Sequence, residues 1–362
     1  MPVAQVDLAA LRHNLELLRR RLEPGCRLLA AVKAGGYGHG AAPVARALEA
    51  AGVEWFGAAT PEEALELREA GVRGRILLLG PGFARLAELV EAGVDLTVCD
   101  RASVDSIRHC GTPGKARVHL KADTGMGRIG LPAAAALELA KELANDRRLR
   151  FEGVWTHFAA ADEADRRFTE MQIQAFGELL GELERLSIRP PLAHTCNSGG
   201  LLAFPEAHFD LVRPGIALYG YPPSDEVAAI EPNFRPVMTV TAPVTFVKRV
   251  AAGTAISYGA TWRAPRETTV ATVRFGYADG YPRLLANRGW ARVHGRRCDV
   301  AGRICMDQLM LDVGDLDVSP GDRVTLFGAA GPSAGELGAL AGTVSYEILT
   351  SVSQRVARVY LD

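Results

Sequence analysis

VEWFGAATPEEALELREAGVRGRILLLG, residues 53–80, sets two short apolar runs around one helical stretch. VEWFGAAT and RILLLG have the length and apolar density of strands buried on both faces. Between them Thr60 can cap a helix, Pro61 suits its first position, and Glu62 and Glu63 suit the positive end of its dipole. Strands joined by such a helix run parallel, because a parallel pair requires a crossover connection. The stretch therefore reads as one strand-helix-strand unit.

The same rhythm extends in both directions. Upstream, Asp7 precedes leucines 8, 11, 15, 18 and 22 at helical spacing, Pro24-Gly25 stops that helix, and CRLLAAVK (26–33) follows as a strand. Downstream come DLTVCD (95–100), ARVHLKAD (116–123), RFEGVWTHF (150–158), LAHTC (192–196) and FDLVRPG (209–215), nearly all separated by helical patterns. About eight such runs over about 220 residues fit a closed (β/α)8 TIM barrel more simply than an open sheet. No internal sequence repeat underlies the rhythm. Near Ile230-Glu231-Pro232 the texture changes to short β-type runs broken by Gly and Asp turns: VMTVTAPVTFVKRV, TTVATVRF, ARVHGRRCDVAGRI, QLMLDV and DRVTLFG. We expect a barrel over residues 1–230 and a mostly antiparallel β domain over 231–362, with SYEILTSVSQRVARVY closing the chain as a helix.

Composition narrows the function classes. At 362 residues the chain exceeds what one core usually organises, and 48% hydrophobic with 23% charged residues is ordinary globular composition. The 41 basic and 42 acidic residues are mixed, giving a net charge of -1, so no field favours nucleic acid or an anionic membrane surface. The expected partner is a small molecule. Six cysteines without a CxxC pair read as reduced thiols, and no apolar signal core or membrane-length run is present, so a cytoplasmic enzyme is expected.

A (β/α)8 barrel carries its site at the carboxyl ends of its strands, so the polar residues ending each run are the candidates. The first run ends in Lys33, before a glycine-rich loop with Tyr37 and His39. A desolvated lysine there can serve as an imine-forming amine or a general base, although on position alone a snorkelling or paired lysine is the commoner case. The fifth run leads through Lys121 and Asp123 to Arg128, the sixth to His157, the seventh to Asn197-Ser198-Gly199-Gly200, and the eighth to Arg213-Pro214-Gly215-Ile216. The loops after strands seven and eight are where barrels often hold phosphate, and here they supply hydroxyl, amide and glycine backbone donors. Taken alone, the Asn-Ser-Gly-Gly stretch is an ordinary turn and His157 an ordinary core histidine. Together, a lysine, a phosphate cradle and basic companions are the set that pyridoxal phosphate requires. The histidines show no metal spacing, and neither GxGxxG after the first strand nor GxSxG occurs.

AVKAGGYGHG, KADTGMGRIG, THFA, CNSGG, VRPGIALYG, ISYGATW, FGYADGYPR, GRICMDQ and SYEIL, in this order, closely resemble the alanine racemases over nearly the whole chain. The resemblance implies a pyridoxal 5'-phosphate enzyme that interconverts L- and D-alanine for peptidoglycan, as a homodimer with active sites shared between subunits. Lys33 then matches the lysine coupled to the cofactor aldehyde. Tyr37, Ser198, Gly215, Ile216 and Tyr346 match the phosphate site, with Asn197 adjoining, and His157 would lie beside the ring. Arg213 matches the partner of the pyridine nitrogen; because guanidinium only donates, that nitrogen must stay unprotonated, a weaker electron sink suited to racemisation. Tyr258 matches the second base, supplied by the other subunit, since racemisation removes a proton from one face and returns one on the other. Arg128 matches a residue directed at the cofactor phenolic oxygen and substrate carboxylate, Met306 and Asp307 match residues reaching the partner's site, and Tyr277 and Tyr281 would narrow the entry. Lys121 matches a position that can carry a carbamate, with an ordinary lysine-acid pair as the other reading.

One departure stands out. The family's loop usually reads Lys-Ala-Asn-Ala-Tyr, and here Gly35-Gly36 replaces Asn-Ala, removing a side-chain hydrogen bond and adding backbone freedom. Rival readings are a broad-specificity amino-acid racemase of the same fold, a decarboxylase of that fold, and a non-catalytic pyridoxal-phosphate carrier, against which the second domain argues.

Overall fold

The computed structural model describes residues 1–82, 84–111 and 116–362. Its first strand, β1 (Val3–Asp7), precedes the amphipathic helix Leu8–Arg19, whose first turn Asp7 caps by accepting the Ala10 amide at 2.8 Å. The barrel strands follow: β2 (Arg27–Ala31), β3 (Trp55–Ala58), β4 (Arg75–Leu78), β5 (Val94–Val98), β6 (Ala116–Lys121), β7 (Leu149–Trp155), β8 (Leu192–His194) and β9 (Leu211–Val212). They form one eight-stranded parallel sheet in the order β8-β7-β6-β5-β4-β3-β2-β9. Backbone bonds from Asp210 N to Ala193 O (3.0 Å) and from Arg213 N to Cys196 O (2.8 Å) link β9 and its exit back to β8 and close the circuit.

The unit at residues 53–80 shows why the sequence folds this way. All four residues of β3 are buried, as strands covered on both faces require. Thr60 caps the helix Pro61–Glu69 by accepting the Glu63 amide at 3.3 Å, with Pro61 at the helix start and Ala64, Leu65 and Leu67 facing inward. Inside the barrel, Leu29, Trp55, Leu77, Leu192 and Leu211 pack as an apolar cluster of their own, the side-chain filling that makes such a barrel a core and not a pore.

β10 (Met238–Val250) opens the second sheet, where most neighbours are antiparallel. It pairs with Thr268–Val273, which continues through Leu309–Gly314 and Arg296–Val300 to Trp290–Val293, and with Arg323–Phe327 on its other stretch. Alternate residues of its first half are buried, the pattern of a sheet packed on one face.

Two features differ from the sequence reading. β1 was not foreseen, and it lies in the second sheet, antiparallel to β10 and parallel to Ala357–Leu361. Its cause is visible in the burial of Ala4 and Val6 between more exposed neighbours, a two-residue period too short to stand out beside the leucine helix. The closing stretch is not one helix either. The helix Ser345–Thr350 stops, and Ala357–Leu361 is a strand, because pairing with β1 outweighs the weak helical period of a segment rich in serine and valine. Among the described residues no helix is long and apolar enough to cross a membrane.

Candidate active site

The carboxyl ends of the barrel strands surround a cavity of about 490 Å³. Lys33 enters it just after β2, at the start of an unusual turn. Ala34, Gly35, Gly36, Tyr37 and Gly38 all have positive φ, between 52° and 83°, so the chain makes a short left-handed helical turn. The turn is closed by Gly36 N to Val32 O (2.8 Å) and Gly38 N to Ala34 O (2.9 Å). A left-handed conformation costs a residue with a Cβ about 1–2 kcal/mol, and glycine almost nothing. Gly35-Gly36 therefore relieves strain at two of the five positions, and the loop is ordered by this geometry where the sequence suggested only added freedom.

Glu63, on the helix after β3, fastens the turn. Its carboxylate accepts the Ala34 amide at 2.6 Å and the Ala59 amide at 2.8 Å, tying the Lys33 loop to the end of the neighbouring strand. The Lys33 amine lies below its ordinary pKa because burial disfavours its charge and the Arg128 cation adds to this, with Glu63 opposing. Sequence reasoning placed Glu63 only as a helix-start acid.

Arg213 is buried at the exit of β9. Its guanidinium donates to Thr156 O (2.8 Å), Thr195 O (2.7 Å) and His194 Nδ1 (2.8 Å), with a longer contact to His157 Nδ1 at 3.3 Å. A guanidinium has five N–H donors, so among the described residues Nε and one Nη1 hydrogen find no acceptor, on a residue that lines the cavity. His157 is held well below its ordinary pKa, first by burial and then by Arg213, Arg128 and two lysines, so its ring is neutral.

The loops after β8 and β9 meet through Ser198. Its Oγ accepts the Gly215 amide at 3.0 Å and the Ala217 amide at 3.4 Å, while Asn197 Oδ1 accepts the Gly200 amide at 2.9 Å and caps the helix Ser198–Ala203. Gly215 has a steric reason: a Cβ there would lie 2.2 Å from the Tyr37 hydroxyl oxygen. Tyr37 is stacked on Tyr219 at 4.8 Å, and the Tyr346 ring stands 6.1 Å away. Ile216 completes this wall. Arg128 lines the cavity from the loop that Asp123 braces by accepting the Gly125 and Gly127 amides. Behind the wall, Lys121 is buried, donates to Ala122 O at 2.7 Å and sits over the Trp155 ring. No carboxylate among the described residues forms a salt bridge with it, and burial, reinforced by Arg213, pulls its amine down to about 7.

Lys33, Tyr37, Arg128, His157, Asn197, Ser198, Arg213, Gly215, Ile216 and Tyr346 thus share one cavity. Tyr258, Tyr277, Met306 and Asp307 are not part of its wall. Tyr258 caps a short hairpin, Ala255–Ile256 with Trp262–Arg263, and is 70% exposed, as Met306 is 54% exposed. The Tyr277 and Ala278 amides bond Cys305 O and Met306 O, which joins those two loops, and Asp307 pairs with Arg355 at 2.7 Å. Tyr281, expected at the entry, is buried in the loop after Thr268–Val273, edge-on to Phe275.

The family model for the alanine racemase N-terminal domain matches residues 6–223, and that for the alanine racemase C-terminal domain matches 237–360. The chain belongs to the alanine racemase family. Among relatives of the family, alanine racemase from Desulforamulus reducens is 44% identical over 99% of this chain and 98% of its own length. The one from Symbiobacterium thermophilum is 45% identical over 99% and 96%. The crystal structure of alanine racemase from D-cycloserine producing Streptomyces lavendulae superposes with a TM-score of 0.94 at 42% identity, covering 100% of this chain and 97% of that one. That of Bacillus anthracis alanine racemase with bound L-Ala-P gives 0.93 at 36% identity, covering 100% and 95%.

Proposed function

We propose that the chain is a pyridoxal-phosphate-dependent alanine racemase working by two bases, Lys33 on one face of the substrate and Tyr258 of a second subunit on the other. The observation carrying this reading is the division of the residues: a cofactor-type cavity in one place, and a solvent-facing tyrosine outside its wall.

The cavity residues fit the cofactor. No hydrogen bond joins the Tyr37 or the Tyr346 hydroxyl to another described residue; the Tyr37 hydroxyl stands against the Gly215 backbone, where a Cβ would fill the space, and Tyr346 lines the same cavity with Ser198. These groups would hold a phosphate. Arg213 offers its unused N–H donors, which suits a ring nitrogen that accepts. Lys33, with its charge disfavoured by burial, would hold the aldehyde. When bound, pyridoxal phosphate supplies the electron sink that acidifies the α-proton of an amino acid. Lys33 would move the proton on its own face, Arg128 would orient the substrate carboxylate, and the neutral His157 would lie against the ring. The relative crystallised with bound L-Ala-P supports an alanine-sized ligand here.

Residues 1–230 would hold the cofactor, and residues 231–362 would bring Tyr258, Tyr277, Met306 and Asp307 to the partner's cavity in a homodimer. A cytoplasmic setting belongs to this reading, and D-alanine for peptidoglycan is the proposed product.

Subunit mixing tests the shared site. Inactive Lys33→Ala and inactive Tyr258→Phe chains, unfolded and refolded together, should regain a fraction of racemase activity, because some dimers pair two intact halves. Demonstrated heterodimers without recovery would refute the shared site.

A further inference from the structure

A polar thread runs through the barrel interior and ends on Arg213. Asp95 on β5, His119 on β6 and His194 on β8 are all 0% exposed, alongside the apolar cluster that includes Trp55 and Leu192. Asp95 Oδ2 meets His119 Nε2 at 3.1 Å, His119 Nδ1 meets His194 Nε2 at 3.0 Å, and His194 Nδ1 meets Arg213 Nη1 at 2.8 Å. Trp55 stands edge-on to His119 at 5.9 Å and Trp155 lies parallel to His194 at 5.6 Å, so both imidazoles pack against an indole.

Every proton on this thread is dictated from its ends. Guanidinium can only donate, so His194 Nδ1 must accept and its proton sits on Nε2. That proton requires His119 Nδ1 as acceptor, which puts the His119 proton on Nε2, aimed at Asp95. Asp95 also accepts from Arg75 and from Arg117, and taking donors on both oxygens is the behaviour of a carboxylate. Arg213 itself has no carboxylate within salt-bridge distance among the described residues. Among the described residues, the first carboxylate that its hydrogen-bond chain reaches through His194 is Asp95, two imidazoles away. A buried cation is costly unless its donors are satisfied; reversal of the His194 tautomer would set N–H against N–H at Arg213, and reversal of His119 would set N–H against N–H at His194.

We propose that Asp95 and His119 are positioning residues for Arg213: they hold His194 in the one tautomer that accepts from the guanidinium, and so fix which N–H donors face the cavity. The consequence for catalysis rests on the proposed role of Arg213 opposite a ring nitrogen. The proton arrangement does not.

The test is nitrogen-15 NMR of histidine-labelled protein without added ligand, together with Asp95→Asn. In the unsubstituted protein both His119 and His194 should be neutral with the proton on Nε2. In Asp95→Asn, a neutral side chain that can also donate, His194 should populate the Nδ1-protonated form. The cofactor should then bind more weakly, and kcat should fall roughly tenfold, as when the outer partner of an oriented histidine is lost, with a smaller change in KM. A proton on His194 Nδ1, or a charged imidazole, in the unsubstituted protein overturns the proposal even if the variant does not fold. Unchanged tautomers and kinetics in a folded variant overturn it as well. The drawn tautomers in a protein that fails to racemise alanine would refute only the functional reading.

Discussion

Glu63 and Ala34 are joined across two loops, the Glu63 carboxylate accepting the Ala34 amide at 2.6 Å and thereby fixing the residue next to Lys33. The same carboxylate is the charge that opposes burial and Arg128 at the Lys33 amine. In Glu63→Gln one amide acceptor survives but the charge is gone. The Lys33 pKa should fall further, seen as a lower midpoint in the pH profile of its chemical labelling followed by mass spectrometry. Stability should drop by about 1–2 kcal/mol from the weakened amide contacts. An unmoved midpoint would show that the two loops meet without electrical consequence.

The left-handed turn makes a graded prediction. At Gly38, φ is +83° and a Cβ would lie 2.2 Å from the Leu349 carbonyl oxygen, so Gly38→Ala should cost about 3 kcal/mol or more in urea unfolding. At Gly35 nothing stands within 4 Å, so Gly35→Ala should cost only about 1–2 kcal/mol of backbone strain, and Gly35→Asn less. Equal losses at the two glycines would contradict the turn.

Lys121 gives a pH signature. Its amine titrates at about 7 in the folded chain, against roughly 10.4 when unfolded. Between these values the unfolded chain binds more protons, so the Lys121 contribution to stability rises with pH from about 7 upward and is at its most unfavourable below. Lys121→Met removes this term. The gap between parent and variant should change by about 1–2 kcal/mol between pH 7 and pH 9 in denaturant titrations, in the direction that favours the parent at high pH. A pH-independent gap would mean that Lys121 stays charged.

Tyr258→Phe should leave the visible absorption of the bound cofactor in place, because Lys33 is untouched. Loss of α-hydrogen to deuterated solvent should fall more steeply from L-alanine than from D-alanine, by at least the roughly 100-fold typical of a lost general base. Equal residual exchange from both enantiomers would contradict the assignment of faces.

Much of this was readable beforehand, and the failures have physical causes. The βαβ rhythm and the strand ends gave Lys33, Ser198 and Arg213, because buried parallel strands are apolar by necessity and their terminal polar residues stand out. The thread at Asp95 and His119 carried a fainter signal: a charged or imidazole side chain within the otherwise buried strands VDLTV and ARVHLK, flanked in sequence by Val94, Leu96, Val118 and Leu120. Glu63 looked like a helix-start acid because its second role depends on a loop distant in sequence. β1 and Ala357–Leu361 were obscured since β1 is a strand by pairing with β10 and with Ala357–Leu361, and Ala357–Leu361 pairs with β1 alone among the described strands. Tyr258 stands exposed outside the cavity wall, and no contact among the described residues of its own chain marks it as a base; that role belongs to the proposed second subunit.

The most direct measurement is an assay of the purified, cofactor-loaded protein against L- and D-amino acids, with its absorption spectrum recorded first. A visible band that Lys33→Ala lacks, conversion of either alanine enantiomer to equal amounts of both, and far slower turnover of serine, lysine and arginine are expected. A loaded dimer that leaves alanine unracemised, or handles those amino acids as fast, would contradict the assignment.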